Sequence, residues 1–422
     1  MIIGLDDTDS KEGMCTTYLA AVLIEKLKDF GRVDGYPLLI RLNPNIIYKT
    51  RGNAAIAFPF ELKKSEDAEI VKRIVIDTIE EMAVFSAENT NPGVVFIESA
   101  SDDMKKDLAL FSMRAVQDVL EIHEAEELLS RHGISHTGFK NKRGLIGALA
   151  AAGFALTGLS DITFEFIAYR EKKRWGTPRI IDEDSVWEAA AQPDTWDTVD
   201  HENRRIVFAP HSPDPILFGI RGKSEIAVRQ AFSFIKCEPI ERYVVYMTNQ
   251  NTDMHLLSAK ISDVLDSRSY ILDGTVTKLP KTIVGGHVIF EIGDDTASIE
   301  CAAFEPTKGF RGIIRNLQAG DEVTVYGSVK EGTLNLEKIR IRSLNLHELR
   351  NPLCCSKRMK SMGRGQGFRC EKCGATVKEQ VIEPVKRKIS TGFYEVPPSA
   401  RRHLSKPLVR FREQEGACSY VY

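Results

Sequence analysis

Residues 1–18 read MIIGLDDTDSKEGMCTTY, and the order of residue types in this stretch decides how the chain begins to fold. Ile2, Ile3 and Leu5 make a short apolar run of the kind that forms a buried strand, and the run ends in acids. Behind it a loop leads to an amphipathic helix whose Leu19, Val22, Leu23, Leu27 and Phe30 share one face. The loop carries Asp6, Asp7 and Asp9 at the carboxyl end of the strand. Carboxylates packed this closely repel one another unless a cation binds, and Mg²⁺ takes oxygen ligands, commonly one or two carboxylates together with substrate phosphates. Met14, Cys15, Thr16 and Thr17 follow, placing two hydroxyls at the start of a helix, where free N–H groups and the helix dipole favour a phosphate. The stretch reads as a metal–nucleotide site for phosphoryl transfer; an acidic turn followed by an ordinary helix cap is the alternative.

Working outward, strands are expected at 38–42, 54–60 and 94–98 and helices near 65–84 and 105–132, which completes an α/β or α+β domain over residues 1–137. Residues 138–255 run helix (145–153), strand (163–169), helix (183–191), strands (206–209 and 215–220), helix (223–234) and strand (240–247), the alternation of a ferredoxin-like α+β domain. Residues 268–346 change to five short strands separated by turn signals, an OB-type barrel that serves as a platform for single-stranded nucleic acid or as a purely structural barrel. Cys354, Cys355, Cys370 and Cys373, within 350–378, approximate a zinc ribbon. Its first pair is adjacent where a ribbon normally has two residues between, and adjacent cysteines do not easily reach one tetrahedral ion, so a weakened or lost site is the alternative. A basic C-terminal segment occupies 379–422. The fold class is therefore α/β multidomain. The length of 422 residues predicts about three domains, and the segmentation finds four and a tail.

Composition is that of a soluble protein, 43% hydrophobic and 27% charged. The most apolar run, 145–159, is too short for a bilayer and broken by glycines, so no membrane span is expected and the chain is assigned to the cytoplasm. Eight cysteines in such a chain suggest thiols or metal ligands rather than disulfides. The net charge of -2 hides a division: residues 1–137 hold 15 Lys and Arg against 24 Asp and Glu, net -9, and residues 338–412 hold 19 against 5, net +14. A block this basic is the footprint of phosphate-backbone binding, with a solvated basic tail as the alternative. Lys357, Arg358, Lys360, Arg364 and Arg369 lie on the ribbon inside that block.

Lys140 to Gly147, KNKRGLIG, opens an apolar helix with Lys140, Lys142, Arg143 and Gly144, a set suited to cradling an anion. Gly222-Lys223-Ser224 before a helix comes near a Walker loop, but Leu217 stands where that motif needs glycine.

Residues 4–10 (GLDDTDS), 14–18 (MCTTY), 49–53 (KTRGN), 143–148 (RGLIGA), 218–222 (FGIRG) and 401–408 (RRHLSKPL) together resemble, in the same order and over nearly the whole chain, the archaeal tRNA(Ile) 2-agmatinylcytidine synthetase family, TiaS. The resemblance implies a kinase-like ATP-binding catalytic domain at 1–137, then a ferredoxin-like domain, an OB-fold and a zinc ribbon. It implies ligation of agmatine to the 2-carbon of the wobble cytidine of the CAU-anticodon isoleucine tRNA, which then reads AUA, with ATP giving AMP and two phosphates. In that family ATP is split between its α and β phosphates and the γ-phosphate ends on a threonine, which the motif places at Thr16. By the same resemblance Asp6, Asp7 and Asp9 serve Mg²⁺ and activation, and Lys140, Arg143 and Gly144 contact phosphate. Cys354, Cys355, Cys370 and Cys373 hold Zn²⁺, and the tRNA contacts extend from the ribbon to Arg401 and Arg402. Agmatine carries a guanidinium and an amine, so its pocket should offer carboxylates and carbonyls. The proline-rich segment 210–215 is the candidate, with Pro210 in its wall and Asp214 as charge partner, and a rigid proline turn is the alternative. No obligate protein partner is evident. A non-catalytic RNA-binding protein built on the OB-fold and ribbon is the rival reading, and it has no use for the acid cluster.

Overall fold

The computed structural model describes residues 1–411 apart from 12 and 51. Arg51 of the 49–53 segment and residues 412–422 of the basic C-terminal segment therefore lie outside the described residues.

The first strand, β1 (Ile2–Asp6), lies inside a ten-stranded sheet. Its side chains alternate between two apolar layers, as a strand covered on both faces requires. Ile3 and Leu5 face α1 (Thr16–Lys26) and α2 (Ala68–Met82), and Ile2 faces α3 (Asp102–Gln117), α4 (Ile122–Arg131) and α5 (Gly144–Thr157). The remaining strands are β2 (Gly31–Val33), β3 (Leu38–Arg41), β4 (Ala54–Leu62), β5 (Gly93–Ile97), β6 (Ser135–Gly138), β7 (Thr163–Arg170), β8 (Thr195–Trp196), and, after the small hairpin β9 (Val199–Asp200) and β10 (Arg205–Ile206), β11 (Ile216–Gly222) and β12 (Ile240–Thr248). The order is β6-β5-β1-β4-β3-β12-β7-β11-β8, with β2 on β4.

Two sequence expectations change here. The sheet does not stop at residue 137, because β12 pairs in parallel with β3 through Met247–Leu38 and Thr248–Leu39, joining the ferredoxin-like strands to the first unit. The helix at 145–153, assigned to the second unit, is α5 and packs into the first. Gly144 lies so close to Gly93 that a Cβ at 144 would strike the Gly93 backbone, and α5 is buried from Gly144 to Phe154. A helix covered on nearly all sides is apolar all round, which is why this run was the most hydrophobic in the chain. The expected helix over 105–132 is two helices, the first ending at the Asp118 C-cap and the second starting on a Glu121–Glu124 capping box. Strands β12-β7-β11-β8 pair antiparallel and carry α6 (Glu183–Ala190) and α7 (Glu225–Phe232), the ferredoxin-like unit. Ser224 caps α7 by accepting from the Ala227 N–H, so the Gly222-Lys223-Ser224 segment is a helix start.

After β13 (Leu256–Ser258), strands β14 (Ser269–Thr282), β15 (Val288–Gly293), β16 (Ser298–Ala303), β17 (Glu322–Lys330) and β18 (Thr333–Ser343) close a five-stranded barrel, with β14 pairing both β15 and β17 and with α8 (Phe310–Arg315) packed against it. The barrel docks on the first unit where Arg268 donates to both oxygens of Asp118 at 2.8 Å. The helix break at Asp118 supplies that partner. The ribbon, 347–384, is built of short two- and three-stranded pieces, and the chain then returns through a last strand, Gly392–Glu395, to pair with β18.

The basic block is less free than its count suggests. Lys338 is fully buried and donates to Asp253, Ser405 and the Lys406 carbonyl, and Arg387 is paired with Asp321. Arg401 is 5% exposed and pairs with Asp197 and Glu395, so it pins the tail to the ferredoxin-like unit and offers nothing to a phosphate.

Arg170 and Glu238 form an ion pair with both side chains 0% exposed, and the same guanidinium holds the Thr177 and Pro178 carbonyls. Removing one partner strands a buried charge, whereas replacing both by apolar groups does not. Arg170→Met should destabilise the ferredoxin-like unit by about 3 kcal/mol or more, and Arg170→Met with Glu238→Leu should recover most of the loss. Trp175, Trp187 and Trp196, all within this unit, report its unfolding in denaturant by fluorescence.

Candidate active site

The acid loop is shaped by backbone conformation before its side chains act. Asp7 is left-handed at φ 57°, a region that Asp tolerates, and this turns the chain sharply after β1. Asp7 Oδ2 then accepts from the Asn91 N–H at 3.2 Å, and the Thr90 hydroxyl donates to the Asp9 carbonyl at 2.6 Å. Asp9 Oδ1 accepts both the Thr16 N–H at 2.6 Å and the Thr16 hydroxyl at 2.8 Å. The Thr8 hydroxyl donates to Thr16 Oγ1 at 3.1 Å. Thr16 is thus the first residue of α1 rather than its cap, which is Cys15, and Asp9 reaches across the loop to hold the helix start. Thr16 is 2% exposed, with its hydroxyl proton directed at a carboxylate.

Asp6 faces the first turn of α5. A Cβ on Gly147 would land on the Asp6 carboxylate, so a glycine is required where the helix N-terminus meets the acid. Burial and the neighbouring Asp7 carboxylate push Asp6 well above the usual carboxylate range. Burial and Asp9 push Asp7 up to about 7, only partly offset by hydrogen bonds from Asn91 and the positive charge of Arg143. An acid cluster held in this state gains most from a bound cation, whose charge removes the mutual repulsion.

The acids line one pocket with Arg143, Ile146 and Gly147 of α5 and with Tyr48, Lys49, Thr50 and Asn53 of the 42–53 loop. Asn53 is left-handed at φ 47°. The Arg143 guanidinium lies 4.2 Å from the centre of the Tyr48 ring, and the Thr50 hydroxyl is buried in the pocket wall with no hydrogen-bond partner. Carboxylate oxygens, a guanidinium and an orphaned hydroxyl around one opening fit a Mg²⁺-bound polyphosphate. Of the three residues expected to contact phosphate, Arg143 lines the pocket. Lys140 Nζ instead donates to the Ala87 and Glu88 carbonyls at 2.6 and 3.1 Å, and the Gly144 N–H is taken by the Asn91 carbonyl at 3.0 Å. Tyr48, Thr8, Thr90 and Asn91 are new to the site; they carry no motif signal because they act through position.

A second cleft, lined by Arg179, Trp187, Arg205, Phe208, Pro210 and His211 among others, opens beside the acid loop, where Gly13 packs on the Pro213 carbonyl. Pro210 is in its wall. Asp214 is 2% exposed, and its carboxylate is engaged by Arg179, Ser212 and the Ile216 N–H, so it holds the proline segment in place.

In the ribbon, the four thiol sulfurs of Cys354, Cys355, Cys370 and Cys373 lie within 4.8 Å of one another. A tetrahedral site with Zn–S distances of ~2.3 Å needs sulfurs about 3.8 Å apart, and Cys354 and Cys373 are 3.4 Å apart. Cys355 and Ser356 are both left-handed, φ 47° and 68°, and this tight turn lets adjacent cysteines address one point. The Cys373 and Lys372 N–H groups hold the Cys370 thiol down at about 6, an arrangement suited to a thiolate ligand. On the ribbon surface Lys357, Arg364 and Arg369 are exposed, whereas Arg358 pairs with Glu383 and Lys360 with Glu371.

Family models match the chain in four consecutive pieces: the TiaS TCKD domain at 2–141, the TiaS FLD domain at 142–255, an OB-fold nucleic acid binding domain at 270–345 and the TiaS C-terminal zinc ribbon domain at 351–389. The chain is 54% identical to the tRNA(Ile2) 2-agmatinylcytidine synthetase TiaS of Methanosarcina mazei, covering 97% of each, and 48% identical to that of Archaeoglobus fulgidus, again covering 97% of each. Among solved structures it is similar to a TiaS–tRNA(Ile2)–ATP complex, with 47% identity, 97% of each chain covered and a TM-score of 0.87. It is also similar to a TiaS–tRNA(Ile2)–AMPCPP–agmatine complex, with 45% identity, 97% of this chain and 96% of that one covered, and a TM-score of 0.85. With an acid loop, a zinc ribbon and an OB barrel in the same order and at this identity over nearly full length, the chain belongs to the TiaS family.

Proposed function

We propose that the chain joins agmatine to the 2-carbon of the wobble cytidine of tRNA(Ile2), using ATP. The hydrogen bond from the Thr16 hydroxyl to Asp9, at the edge of a pocket lined by three carboxylates and Arg143, carries this reading. A cytidine carbonyl oxygen is a poor leaving group until it is phosphorylated, and phosphorylation makes the 2-carbon an electrophile for the agmatine amine, with phosphate departing. Asp9 is placed to take the Thr16 proton as Oγ1 takes the γ-phosphoryl group and the β,γ bond breaks; cleavage between the α- and β-phosphates releases AMP and leaves the β-phosphoryl group to activate the cytidine oxygen, so that the two groups end as two phosphates. Asp6 and Asp7 would hold Mg²⁺, which when bound neutralises polyphosphate charge, and Arg143 would take a phosphate oxygen at the pocket mouth. Pro210 and its cleft, held by the Asp214–Arg179 pair, are the candidate agmatine site, close to the acid loop through Gly13 and Pro213. The ribbon holds zinc through its four cysteines and presents Lys357, Arg364 and Arg369 to tRNA phosphates.

With γ-labelled ATP and Mg²⁺, the wild-type chain should acquire label and Thr16→Ala should not; with tRNA(Ile2) and agmatine added, the wild type should release AMP. A wild-type chain that neither takes label nor forms AMP removes the reading. Joint replacement of Lys357, Arg364 and Arg369 by Ala should weaken tRNA binding and flatten the dependence of log affinity on log salt by about 2 to 3, since each lost phosphate contact removes ~0.7–0.9 from the slope. Unchanged affinity across a salt series would show that the ribbon does not touch the backbone. Elemental analysis should find one zinc per chain in the wild type and a clear deficit in Cys355→Ala; full occupancy in that variant would exclude Cys355 as a ligand.

A further inference from the structure

The wall of the acid pocket between residues 42 and 53 is closed on itself by the Leu42 N–H to the Asn53 carbonyl, the Asn45 N–H to Asn43 Oδ1 and Asn53 Nδ2 to the Asn43 carbonyl. Its position is set by partners far away in sequence, beginning with the Asn43 N–H to the Ala115 carbonyl at 2.9 Å. Asn43 and Asn45 reach the barrel, donating to the Ser267 carbonyl at 2.9 Å and to Ser269 Oγ at 3.0 Å. Arg402 donates from one guanidinium nitrogen to Asn45 Oδ1 at 2.8 Å and to Ser328 Oγ of β17 at 2.7 Å, so it ties the loop to the barrel from the other side. Next to it, the half-buried His403 lies against Gly52: a Cβ at Gly52 would stand 3.3 Å from His403 Nε2 and would strike Arg41. Arg221 donates to His403 Nδ1 at 2.8 Å, which fixes the ring as the neutral tautomer with its proton on Nε2. The tail itself cannot drift, because the Asn251 N–H bonds the His403 carbonyl at 2.8 Å and the Asp253 N–H bonds the Leu404 carbonyl at 2.9 Å.

We propose that Arg402 and His403 are positioning residues for the acid pocket, acting through the 42–53 loop that carries Tyr48, Lys49, Thr50 and Asn53, and that they are not tRNA contacts. The inference rests on the reading that this pocket takes ATP. Arg402 sets the outer half of the loop through Asn45, and His403 fills the space behind Gly52 on its inner half. Loss of either lets the wall relax away from the acids, so the cost falls on nucleotide binding while the phosphate-contacting surface of the ribbon is untouched.

The test uses the full chain, with ATP and Mg²⁺ titrated calorimetrically in the absence of tRNA and tRNA(Ile2) affinity measured by filter binding over a salt series. His403→Leu removes the acceptor for Arg221 and should weaken ATP binding about tenfold, the effect of losing one hydrogen bond to a charged group. His403→Asn places an amide oxygen where Nδ1 stands and should restore affinity to within about threefold of wild type. Arg402→Ala should weaken ATP binding by a similar factor to His403→Leu and leave the tRNA salt slope unchanged. If His403→Leu fails to fold, the contrast between His403→Asn and Arg402→Ala decides the matter. ATP affinity equal to wild type in Arg402→Ala, or a salt slope shallower by about 1 in that variant, overturns the proposal. A wild-type chain that does not bind ATP at all overturns instead the reading of the pocket on which it rests.

Discussion

The repulsion among Asp6, Asp7 and Asp9 is the constraint around which the rest of the molecule is arranged. A strand must stop where three carboxylates meet, and something must hold them together. Three different elements do so. The first turn of α5 abuts Asp6, with the positive end of the helix dipole beside it and a glycine at 147 that leaves room for the carboxylate. The Asn91 N–H takes Asp7, and the start of α1 takes Asp9 through Thr16. These contacts compensate only in part, since Asp6 and Asp7 both remain shifted toward their protonated forms. The site is therefore folded around a deficit of positive charge.

The opposite surplus, in the C-terminal part of the chain, does two jobs that a charge count merges. Lys338, Arg387 and Arg401 are interior and join the barrel, the ribbon's return and the ferredoxin-like unit, each against a named carboxylate. Buried pairs of this kind give direction more than stability, because desolvation offsets much of their attraction. Exposed cations such as Lys357, Arg364 and Arg369 on the ribbon, and Lys386 and Lys388 just beyond it, are the ones placed at the surface. A basic tract in a sequence is thus an upper bound on a nucleic-acid surface, and the carboxylates that pair with it lie far away in the chain.

Much of the site was legible in the sequence because its chemistry is local. Asp6, Asp7, Asp9 and Thr16 fall within eleven residues, Arg143 and Gly147 sit in one helix start, and the four cysteines have recognisable spacing. Legibility failed wherever the deciding partner was remote. The neighbours of Lys140 in sequence suggest a phosphate contact, yet its ammonium donates to the carbonyls of Ala87 and Glu88. The sequence offers Asp214 as a charge partner for agmatine, yet its carboxylate is already engaged by Arg179 and Ser212. The resemblance offers Arg401 as a tRNA contact, yet Asp197, remote in sequence, holds it. The adjacent Cys354 and Cys355 looked incompatible with one metal because spacing rules assume ordinary backbone; two consecutive left-handed residues remove that assumption. Helix α5 follows the 137 boundary in sequence yet packs against the first unit's sheet, because apolarity identifies a buried helix but not which sheet buries it.

The parallel pairing of β3 with β12 changes what the domain description means for the chemistry. Segments that share a sheet are aligned by strand hydrogen bonds, which fix distance and angle far more tightly than a linker does. The ferredoxin-like unit is therefore not free to swing against the acid loop. Its two buried tyrosines, Tyr169 and Tyr246, extend this fixation to the reactive helix: their hydroxyls are 3.2 Å apart, and Tyr246 donates to the Thr17 carbonyl at 2.8 Å. The proline segment 210–215, at the other edge of the same unit, meets the acid loop through Gly13 and Pro213. A substrate held in the Pro210 cleft and a phosphate held by the acids would consequently be registered by one continuous sheet. Alignment of the two reacting groups is then a property of the fold itself, and the adaptable part of recognition falls to the barrel and the ribbon, which attach through side-chain contacts such as Arg268–Asp118.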